Sequence, residues 1–378
     1  MNLSQLDTPS LLLRQDILDR NIARMRARLA PHGVALRPHV KTSKSIDVVK
    51  RVLADGPTAI TVSTLREAEY FADHGITDIL YAVGIVPSKV SQVARLQGRG
   101  VRVTVILDSV EAAASLAKAA AEHGVRVPVL IEIDCDDHRA GVLPDDPALL
   151  AIAAALRDSP ATELRGVMTH AGGSYATPGA EAIRAVAQKE HDAVIDAARR
   201  LRESGYDCPV VSVGSTPTAL FGEDFSGITE VRAGVYMFFD LVMAGLGVCG
   251  VDEIALGVLT SVIGHQARKN QLIVDAGWMA MSRDRGTASQ PVNQGYGLVC
   301  DLQGKPIGDL IVAETNQEHG VIASRSGAQF DLSAFPVGTR LCISPNHACA
   351  TAAQHAEYQV IAGASDEIAA TWGRFGGW

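Results

Sequence analysis

A lysine near the amino terminus is the first residue whose setting suggests covalent chemistry. Lys41 lies in Arg37-Pro38-His39-Val40-Lys41-Thr42-Ser43-Lys44, at the end of an apolar run that predicts a strand over Val34–Val40. Pro38 has no backbone donor, so this strand should be near its end. Cations beside Lys41 and removal from water favour the neutral amine, and only the neutral amine forms a Schiff base. The alternative is a solvated basic turn, because lysines are usually exposed.

A glycine- and hydroxyl-rich stretch follows a later apolar run. The segment 211–218 (VSVGSTPT) ends one predicted strand, and 232–236 (RAGVY) ends the next. A glycine there lets backbone amides approach an anion, and a short helix after Thr216 would add its N-terminal dipole. The candidate phosphate contacts are glycine backbones and hydroxyl side chains: Gly214, Ser215, Thr216, Gly234 and Tyr236. An ordinary turn with a helix cap is the alternative.

A histidine and a cysteine two residues apart form the third candidate, in Ser344-Pro345-Asn346-His347-Ala348-Cys349-Ala350-Thr351. In an extended segment, His347 and Cys349 lie on the same face because side chains alternate. An imidazole and a thiolate can bind one divalent metal and leave positions open, which is typical of a catalytic site. The alternative is a buried thiol beside a loop histidine.

Eight apolar runs alternate with helical segments over the first two thirds of the chain. The predicted strands are Val34–Val40, Ala59–Ser63, Ile79–Val83, Val101–Leu107, Val127–Asp134, Leu164–His170, Val210–Gly214 and Ile228–Gly234. Eight such units predict a (βα)8 TIM barrel, with a doubly wound open sheet as the alternative. In a barrel, Lys41 and the glycine-rich stretch share the catalytic face, at the carboxyl ends of the strands.

The pattern changes after Leu246. Six short strand candidates follow: Val258–Gln266, Gln271–Trp278, Tyr296–Leu302, Leu310–Ala313, Thr339–Ile343 and Tyr358–Ile361. No good amphipathic helix lies among them, which predicts a separate all-β domain. We expect the early strand Ser10–Arg14 to pair into that domain. The predicted domains are therefore residues 15–245 for the barrel and residues 246–378, with 1–14, for the all-β domain.

A phosphate site and a Schiff-base lysine on one face of a barrel indicate pyridoxal 5′-phosphate. In this interpretation Arg139 could meet the phenolic oxygen of the cofactor, and Tyr175 its pyridine nitrogen. A surface arginine and a loop tyrosine are the alternatives. His170 is either a functional or a core histidine.

Composition excludes several classes of function. The 378 residues are 47% apolar and carry a net charge of −8 without a basic block, which argues against nucleic acid. No apolar run reaches the roughly eighteen residues of a membrane span, and no N-terminal signal pattern is seen. The six cysteines are scattered, which predicts reduced thiols and a cytoplasmic protein.

Several motifs together resemble one enzyme family: RPHVKTSKS, HRAGV, THAGGSY, VSVGSTPT, EVRAGVY, VDAGWMAMSRDRGT, NQEHG and PNHACAT. Over nearly its whole length the chain is similar to the metal-activated D-serine dehydratase and D-threonine aldolase family, fold-type III pyridoxal-phosphate enzymes with an alanine-racemase-like barrel. The resemblance implies that Lys41 forms the Schiff base and that His347 and Cys349 bind the metal. It also implies that Gly214, Ser215, Thr216, Gly234 and Tyr236 line the phosphate, and that Arg139 and Tyr175 contact the ring.

The resemblance also implies a reaction. We expect metal-dependent β-elimination from a D-3-hydroxy amino acid: D-threo-3-hydroxyaspartate to oxaloacetate and ammonia, or D-serine to pyruvate and ammonia. Retro-aldol cleavage is the main alternative, but aldolase members tend to carry His-Cys-Asp where this chain has His347-Ala348-Cys349. A soft thiolate favours zinc, with magnesium and manganese as alternatives. An amino-acid racemase and a non-catalytic cofactor carrier are further alternatives, and a homodimer is expected.

Overall fold

The computed structural model describes residues 2–54, 58–363 and 365–378. Internal contacts divide the chain into two units. One unit comprises Met25–Gly234 with Gly377–Trp378, and the other comprises the chain up to Arg24 together with Val235–Gly376. The chain opens with strand β1 (Ser10–Arg14) and helix α1 (Gln15–Leu29).

Eight parallel strands form the sheet of the Met25–Gly234 unit. They are β2 (Ala35–Leu36), β3 (Ala59–Val62), β4 (Asp78–Gly84), β5 (Arg102–Leu107), β6 (Val127–Ile133), β7 (Thr162–Thr169), β8 (Val210–Val213) and β9 (Glu230–Val231). Their order is β2-β9-β8-β7-β6-β5-β4-β3. The amide of Val40 donates to the carbonyl of Thr61, and the amide of Thr61 to that of Pro38, each at 2.9 Å. These bonds join the segment after β2 to β3 and close the sheet, which confirms the predicted barrel over the open sheet.

Helices connect the strands of the barrel. They are α2 (Ile46–Leu53), α3 (Leu65–Asp73), α4 (Val90–Gly98), α5 (Val110–Glu122), α6 (Ala148–Arg157), α7 (Ala180–Glu203) and α8 (Thr216–Phe221). Hydroxyl side chains just after two strands begin the next helix. Thr64 accepts the amide of Glu67 at the start of α3, and Ser109 accepts that of Ala112 at the start of α5.

The interior of the barrel is filled with apolar side chains. Leu80, Ile106, Leu130 and Met168, from four adjacent strands, pack together with at most 2% of their surface exposed. Burying each such side chain contributes about 1.5–3 kcal/mol. Because the interior is packed, the ends of the strands are where the barrel can bind a ligand.

The second unit is built on a nine-stranded sheet that contains β1. Its other strands are β10 (Leu256–Gln266), β11 (Gln271–Val274), β12 (Gly297–Cys300), β13 (Pro306–Thr315), β14 (Gly320–Ser324), β15 (Arg340–Pro345), β16 (Glu357–Ile361) and β17 (Ile368–Gly373). Strand β10 pairs with both β11 and β15, so six strands from β10 to β15 form a closed ring. Strand β1 pairs antiparallel with β10 and parallel with β16, which confirms that the first strand joins the all-β domain.

Three short helices correct the sequence interpretation of this unit: α9 (Leu241–Gly245), α10 (Trp278–Met281) and α11 (Ala348–Ala352). The strand predicted to run to Trp278 ends at Val274. The segment that contains Cys349 is helical and not extended, because the alanine-rich sequence of α11 favours a helix. The argument from alternating side chains is therefore wrong for His347 and Cys349.

Two absences hold over the described residues. No helix there is long and apolar enough to cross a membrane. All six cysteines are described, and none forms a disulfide.

Candidate active site

Lys41 lies in the turn that follows the closure of the barrel. The amide of Lys44 donates to the carbonyl of Val40 at 2.8 Å, which closes this turn around Lys41. Val40, Thr42 and Ser43 are buried, whereas the side chain of Lys41 is exposed. The turn is therefore fixed by its buried neighbours, and the expectation of a desolvated Lys41 is wrong for this structure.

Two of the cations predicted to surround Lys41 are bound to carboxylates instead. Arg37 pairs with Glu230 at 2.7 Å and with Asp78 at 3.0 Å. Lys44 pairs with the buried Glu67 at 3.1 Å. These ion pairs compensate the charges of Arg37 and Lys44, so neither cation has the role that the sequence suggested.

Other positive groups lie at this end of the barrel. Burial lowers the pKa of His170 to about 4, although its bond to Gly214 opposes this, and the charges of Arg232, Lys41 and Arg139 lower it further. Burial also holds the pKa of His39 well below its usual value, with contributions from Lys41 and Arg232. Both imidazoles are therefore neutral at pH 7. Three basic side chains that act on the same imidazole fit an anionic ligand, such as a phosphorylated cofactor.

Three of the predicted phosphate residues, Gly214, Ser215 and Thr216, lie at the start of α8. The amide of Gly214 donates to the buried Glu190 at 3.1 Å. The hydroxyl of Ser215 accepts the amide of Thr218 at 3.2 Å and lies 2.8 Å from that of Ser174. Ser215 thus caps α8, and its hydroxyl and the Gly214 amide are already engaged within the protein. That Gly214 and Ser215 also line a phosphate stays a prediction.

Tyr175 and Thr216 also lie at the start of α8. The amide of Thr216 donates to the hydroxyl of Tyr175 over 3.4 Å, and the ring of Tyr175 lies 6.1 Å from that of His170. Tyr175 comes from the 3-10 helix Gly172–Ala176 after β7. Its hydroxyl therefore lies beside the predicted phosphate stretch.

Glycine is required at both predicted glycine positions by close packing. A Cβ on Gly214, whose φ is +148°, would lie 1.9 Å from the carbonyl oxygen of Arg232. A Cβ on Gly234 would lie 2.7 Å from the carbonyl oxygen of His39 and 2.8 Å from the hydroxyl of Thr42. Gly234 thus lets the end of β9 approach the turn that carries Lys41.

Arg139 and Tyr236, two further predicted cofactor residues, differ in their exposure to solvent. Arg139 is exposed on the loop after β6, with its guanidinium 3.5 Å from the carboxylate of Glu132. Burial raises the pKa of Glu132, and the charge of Arg139 opposes that rise. Tyr236 is fully buried in the 3-10 helix Val235–Met237, which belongs to the other unit. The barrel unit therefore contains all the predicted cofactor residues except Tyr236.

Arg232 is a site residue to which sequence reasoning gave no role. Its guanidinium is buried and donates to the hydroxyl of Ser212 and to the carbonyl of Thr169. Burial lowers the pKa of Arg232, against the charges of nearby carboxylates including Glu230. The signal in the sequence was a charged residue inside a short apolar strand, directly before Ala233-Gly234.

The second unit brings His347 and Cys349 together. His347 is the N-cap of α11, Cys349 is the second residue of that helix, and their side chains share a hydrogen bond. The Nδ1–H of His347 donates to Oδ2 of Asp284 at 2.7 Å. Burial opposes protonation of His347, but its bonds to Asp284 and Cys349 raise its pKa to about 11, so a metal that binds through Nε2 would displace a proton.

This donor set fits one divalent metal with open coordination positions. An imidazole nitrogen and a thiolate are ligands that zinc prefers. Among residues 2–54, 58–363 and 365–378, no group of three or more histidine, cysteine or acidic side chains could hold a metal. Two protein ligands leave coordination positions open for substrate or water, which a closed structural site does not.

Four residues of the second unit could offer charged or polar groups to a substrate or to waters on a metal, and all four are exposed: Arg283, Arg285, Glu318 and His319. The guanidinium of Arg283 lies 5.1 Å from the ring centroid of Trp278, and that of Arg285 lies 5.2 Å from that of Tyr296. Glu318 and His319 lie in the turn between β13 and β14.

Comparison with known proteins identifies a family model for each of two parts of the chain. The family model for the alanine racemase N-terminal domain matches residues 13–242, and the model for a putative serine dehydratase domain matches residues 255–361. The D-threo-3-hydroxyaspartate dehydratase of Delftia sp. (strain HT23) is 53% identical over 99% of this chain and 98% of its own. Its solved structure covers 100% of both chains, at 52% identity, with a TM-score of 0.97.

Two further relatives are more distant. The D-serine dehydratase of Dictyostelium discoideum is 30% identical over 95% of this chain and 94% of its own. The 3-hydroxy-D-aspartate aldolase of Paracoccus denitrificans (strain Pd 1222) is 32% identical over 95% of this chain and 89% of its own. The chain therefore belongs to the D-serine dehydratase and D-threonine aldolase family of pyridoxal-phosphate-dependent enzymes, whose N-terminal domain has the alanine racemase fold.

Proposed function

We propose that this protein is a dehydratase that converts D-threo-3-hydroxyaspartate to oxaloacetate and ammonia by β-elimination. The observation that carries the proposal is the 53% identity to a dehydratase of that substrate, over 99% of this chain. The imidazole and thiolate at the start of α11 agree with it, since such a pair can bind the metal that removal of a hydroxyl needs.

The residues of the barrel would bind the cofactor and move one proton. When bound, pyridoxal phosphate supplies an electron sink for a carbanion, and a divalent metal supplies a Lewis acid for the β-hydroxyl. Lys41 would hold the cofactor through its amine, and the released amine would take the α-proton at Nζ. Arg139 and Arg232 would attract the anionic cofactor, and Thr216 would lie at its phosphate. Because the hydroxyl of Tyr175 accepts the amide of Thr216 at 3.4 Å, Tyr175 would lie beside that phosphate and not at the pyridine nitrogen.

His347 and Cys349 would hold the metal through one nitrogen and one sulfur. A relative supports this, because a solved cysteine-to-alanine variant of a D-threo-3-hydroxyaspartate dehydratase, 52% identical to this chain, is in the metal-free form. A thiolate ligand favours zinc over magnesium or manganese. The reaction further requires that metal and cofactor act on the same substrate molecule.

Retro-aldol cleavage is the second candidate, favoured by the aldolase relative. It would use the same cofactor and metal but would split the bond between the α- and β-carbons. D-threo-3-hydroxyaspartate would then give glycine and glyoxylate.

Product analysis separates the candidates. Purified enzyme with cofactor and zinc should release ammonia and oxaloacetate in equal amounts from D-threo-3-hydroxyaspartate, and should convert D-serine more slowly at equal concentration. Glycine and glyoxylate as the only products would refute the dehydratase. Faster conversion of D-serine would refute the proposed substrate.

We also propose a homodimer as the active form, since two-fold dimers are the commonest assemblies of soluble proteins. Light scattering coupled to size exclusion should give twice the mass of one chain. The mass of a single chain would contradict the dimer.

A further inference from the structure

The imidazole of His347 is bonded to a carboxylate that lies within the motif VDAGWMAMSRDRGT but received no role from it. Its Nδ1–H donates to Oδ2 of Asp284 at 2.7 Å, across 63 residues of sequence. The side chain of Asp284 is about two thirds buried, with 31% of its surface exposed. Because Asp284 occupies Nδ1, Nε2 is the nitrogen through which His347 can bind a metal.

Asp284 is itself held in place from two sides. Its Oδ1 accepts the amide of Gly286 at 2.8 Å. Its carbonyl oxygen accepts the side-chain amide of Asn346 at 3.2 Å, and that amide also donates to the carbonyl of Gly295 at 2.7 Å. Asn346 is only 2% exposed and directly precedes His347. The backbone and the side chain of Asp284 are thus bonded to two adjacent residues of the metal segment.

A second carboxylate fixes the backbone between the two ligands. Oδ2 of the buried Asp240 accepts the amide of Ala348 at 2.9 Å, and its Oδ1 accepts that of Met243 at 3.0 Å. Asp240 therefore orients the chain between His347 and Cys349, whereas Asp284 contacts the imidazole itself. The two carboxylates have different tasks.

We infer that Asp284 is a positioning residue for the metal: it holds His347 in the tautomer with hydrogen on Nδ1 and so directs the lone pair of Nε2 at the cation. This inference rests on the metal site of the proposed function. Carboxylates that orient a metal-binding histidine in this way typically account for 10–100-fold in metal affinity.

Replacing Asp284 with asparagine distinguishes positioning from a merely structural role. If the single oxygen of asparagine keeps the bond to Gly286, its NH2 group faces Nδ1 of His347. An amide donor there favours hydrogen on Nε2, which removes the lone pair needed for the metal. Positioning therefore predicts that Asp284→Asn is at least as harmful to metal affinity as Asp284→Ala. A structural role predicts the reverse order, because asparagine preserves the shape and the turn.

The test is zinc affinity of the purified holoenzyme, measured by competition with a chromogenic chelator. We expect the dissociation constant for zinc to rise 10–100-fold in Asp284→Ala and at least as much in Asp284→Asn. Asp301→Asn is the matched control. Asp301 also accepts backbone amides in a turn of this unit, from Gln303 at 3.0 Å and from Lys305 at 2.9 Å. The control should bind zinc as the unchanged protein does.

Cobalt substitution adds a spectroscopic readout. At saturating Co²⁺ both Asp284 variants should keep the thiolate-to-metal charge-transfer band of Cys349, because the ligands themselves are intact. Zinc affinities within twofold of the unchanged protein, a milder effect of asparagine than of alanine, or loss of that band at saturation would each overturn the inference. Should Asp284→Ala fail to fold, the affinity of Asp284→Asn alone decides.

Failure of the metal site itself gives a different result. If the unchanged protein binds zinc no better than His347→Ala or Cys349→Ala, the proposed metal site is wrong, and this inference is wrong with it. If the unchanged protein binds zinc tightly and both Asp284 variants match it, only the role of Asp284 is refuted.

Discussion

Glu190 accepts the amide of Gly214 at 3.1 Å, and the same oxygen accepts the amide of Ala171 at 3.0 Å. The carboxylate belongs to α7, whereas the two amides follow β8 and β7. Glu190 is 2% exposed, and burial raises its pKa. Through these two hydrogen bonds, one buried oxygen of Glu190 connects the loop after β7, which carries Tyr175, to the loop after β8, which carries Thr216.

Removing that oxygen should destabilise the barrel. Glu190→Ala leaves two buried amides without an acceptor, at about 1–3 kcal/mol each. Glu190→Gln keeps a carbonyl oxygen at the same position, so its cost should stay below about 1 kcal/mol. Urea unfolding of both variants measures the difference. Equal stability of the two variants would contradict the role given to this oxygen.

Lys41→Ala should remove the visible absorbance of covalently bound pyridoxal phosphate, because the amine that forms the Schiff base is lost. Turnover should fall by at least about 10²-fold with the loss of the base. Lys50→Ala, an exposed lysine of α2, is the control and should keep both properties. A retained absorbance band in the Lys41 variant would refute the assignment.

Cys349→Ser replaces a soft metal ligand with a hydroxyl. We expect turnover to fall by about 10²–10³-fold, since the Lewis acid contributes several kcal/mol to the reaction. The absorbance of the bound cofactor should not change. Cys249→Ser is a matched control, because Cys249 is also a partly buried thiol of the same unit. Equal activity of the two serine variants would exclude a metal role for Cys349.

His170 should make stability depend on pH. Its pKa is about 4 in the folded chain, below the ordinary value near 6.5, so the unfolded chain binds more protons between these values. The free energy of unfolding is therefore highest above about pH 6.5, where the imidazole is neutral in both states. It decreases by on the order of 2–3 kcal/mol as the pH falls toward 4.

His170→Asn tests this dependence. Asparagine can still donate to the carbonyl of Gly214, which accepts Nδ1–H of His170 at 2.6 Å. In cofactor-free protein, unfolding in urea from pH 7 to 4.5 should therefore show a shallower loss of stability for the variant. Identical pH profiles for the variant and the unchanged protein would contradict the buried neutral imidazole.

The barrel could be predicted from the sequence because most of its strands are continuous apolar runs at regular spacing. The runs overstated β2 and β9, which have two residues each. Next to β2, Pro38 lacks a backbone donor, and the barrel is closed there by a single bridge between His39 and Thr61. Strand β17 was missed because its alternating exposed and half-buried side chains show no apolar run.

The chemistry of the site was only partly predictable. Lys41, His347 and Cys349 stand in compact local motifs whose chemistry is evident. Asp284 also stands in a motif, but its contact with His347 spans 63 residues and no local pattern indicates it. Gly214 was interpreted as a phosphate contact, but its amide is bonded to Glu190 on a distant helix. A sequence shows which residue types are present, while hydrogen bonds between distant segments depend on the fold.

The central claim is metal-dependent release of oxaloacetate, and one measurement tests it most directly. Oxaloacetate formation from D-threo-3-hydroxyaspartate is followed in the purified enzyme before chelation, after removal of the metal, and after addition of zinc. The proposed chemistry predicts loss of activity on chelation, retention of the absorbance of the cofactor throughout, and recovery with zinc. Full activity in the metal-free enzyme would contradict it.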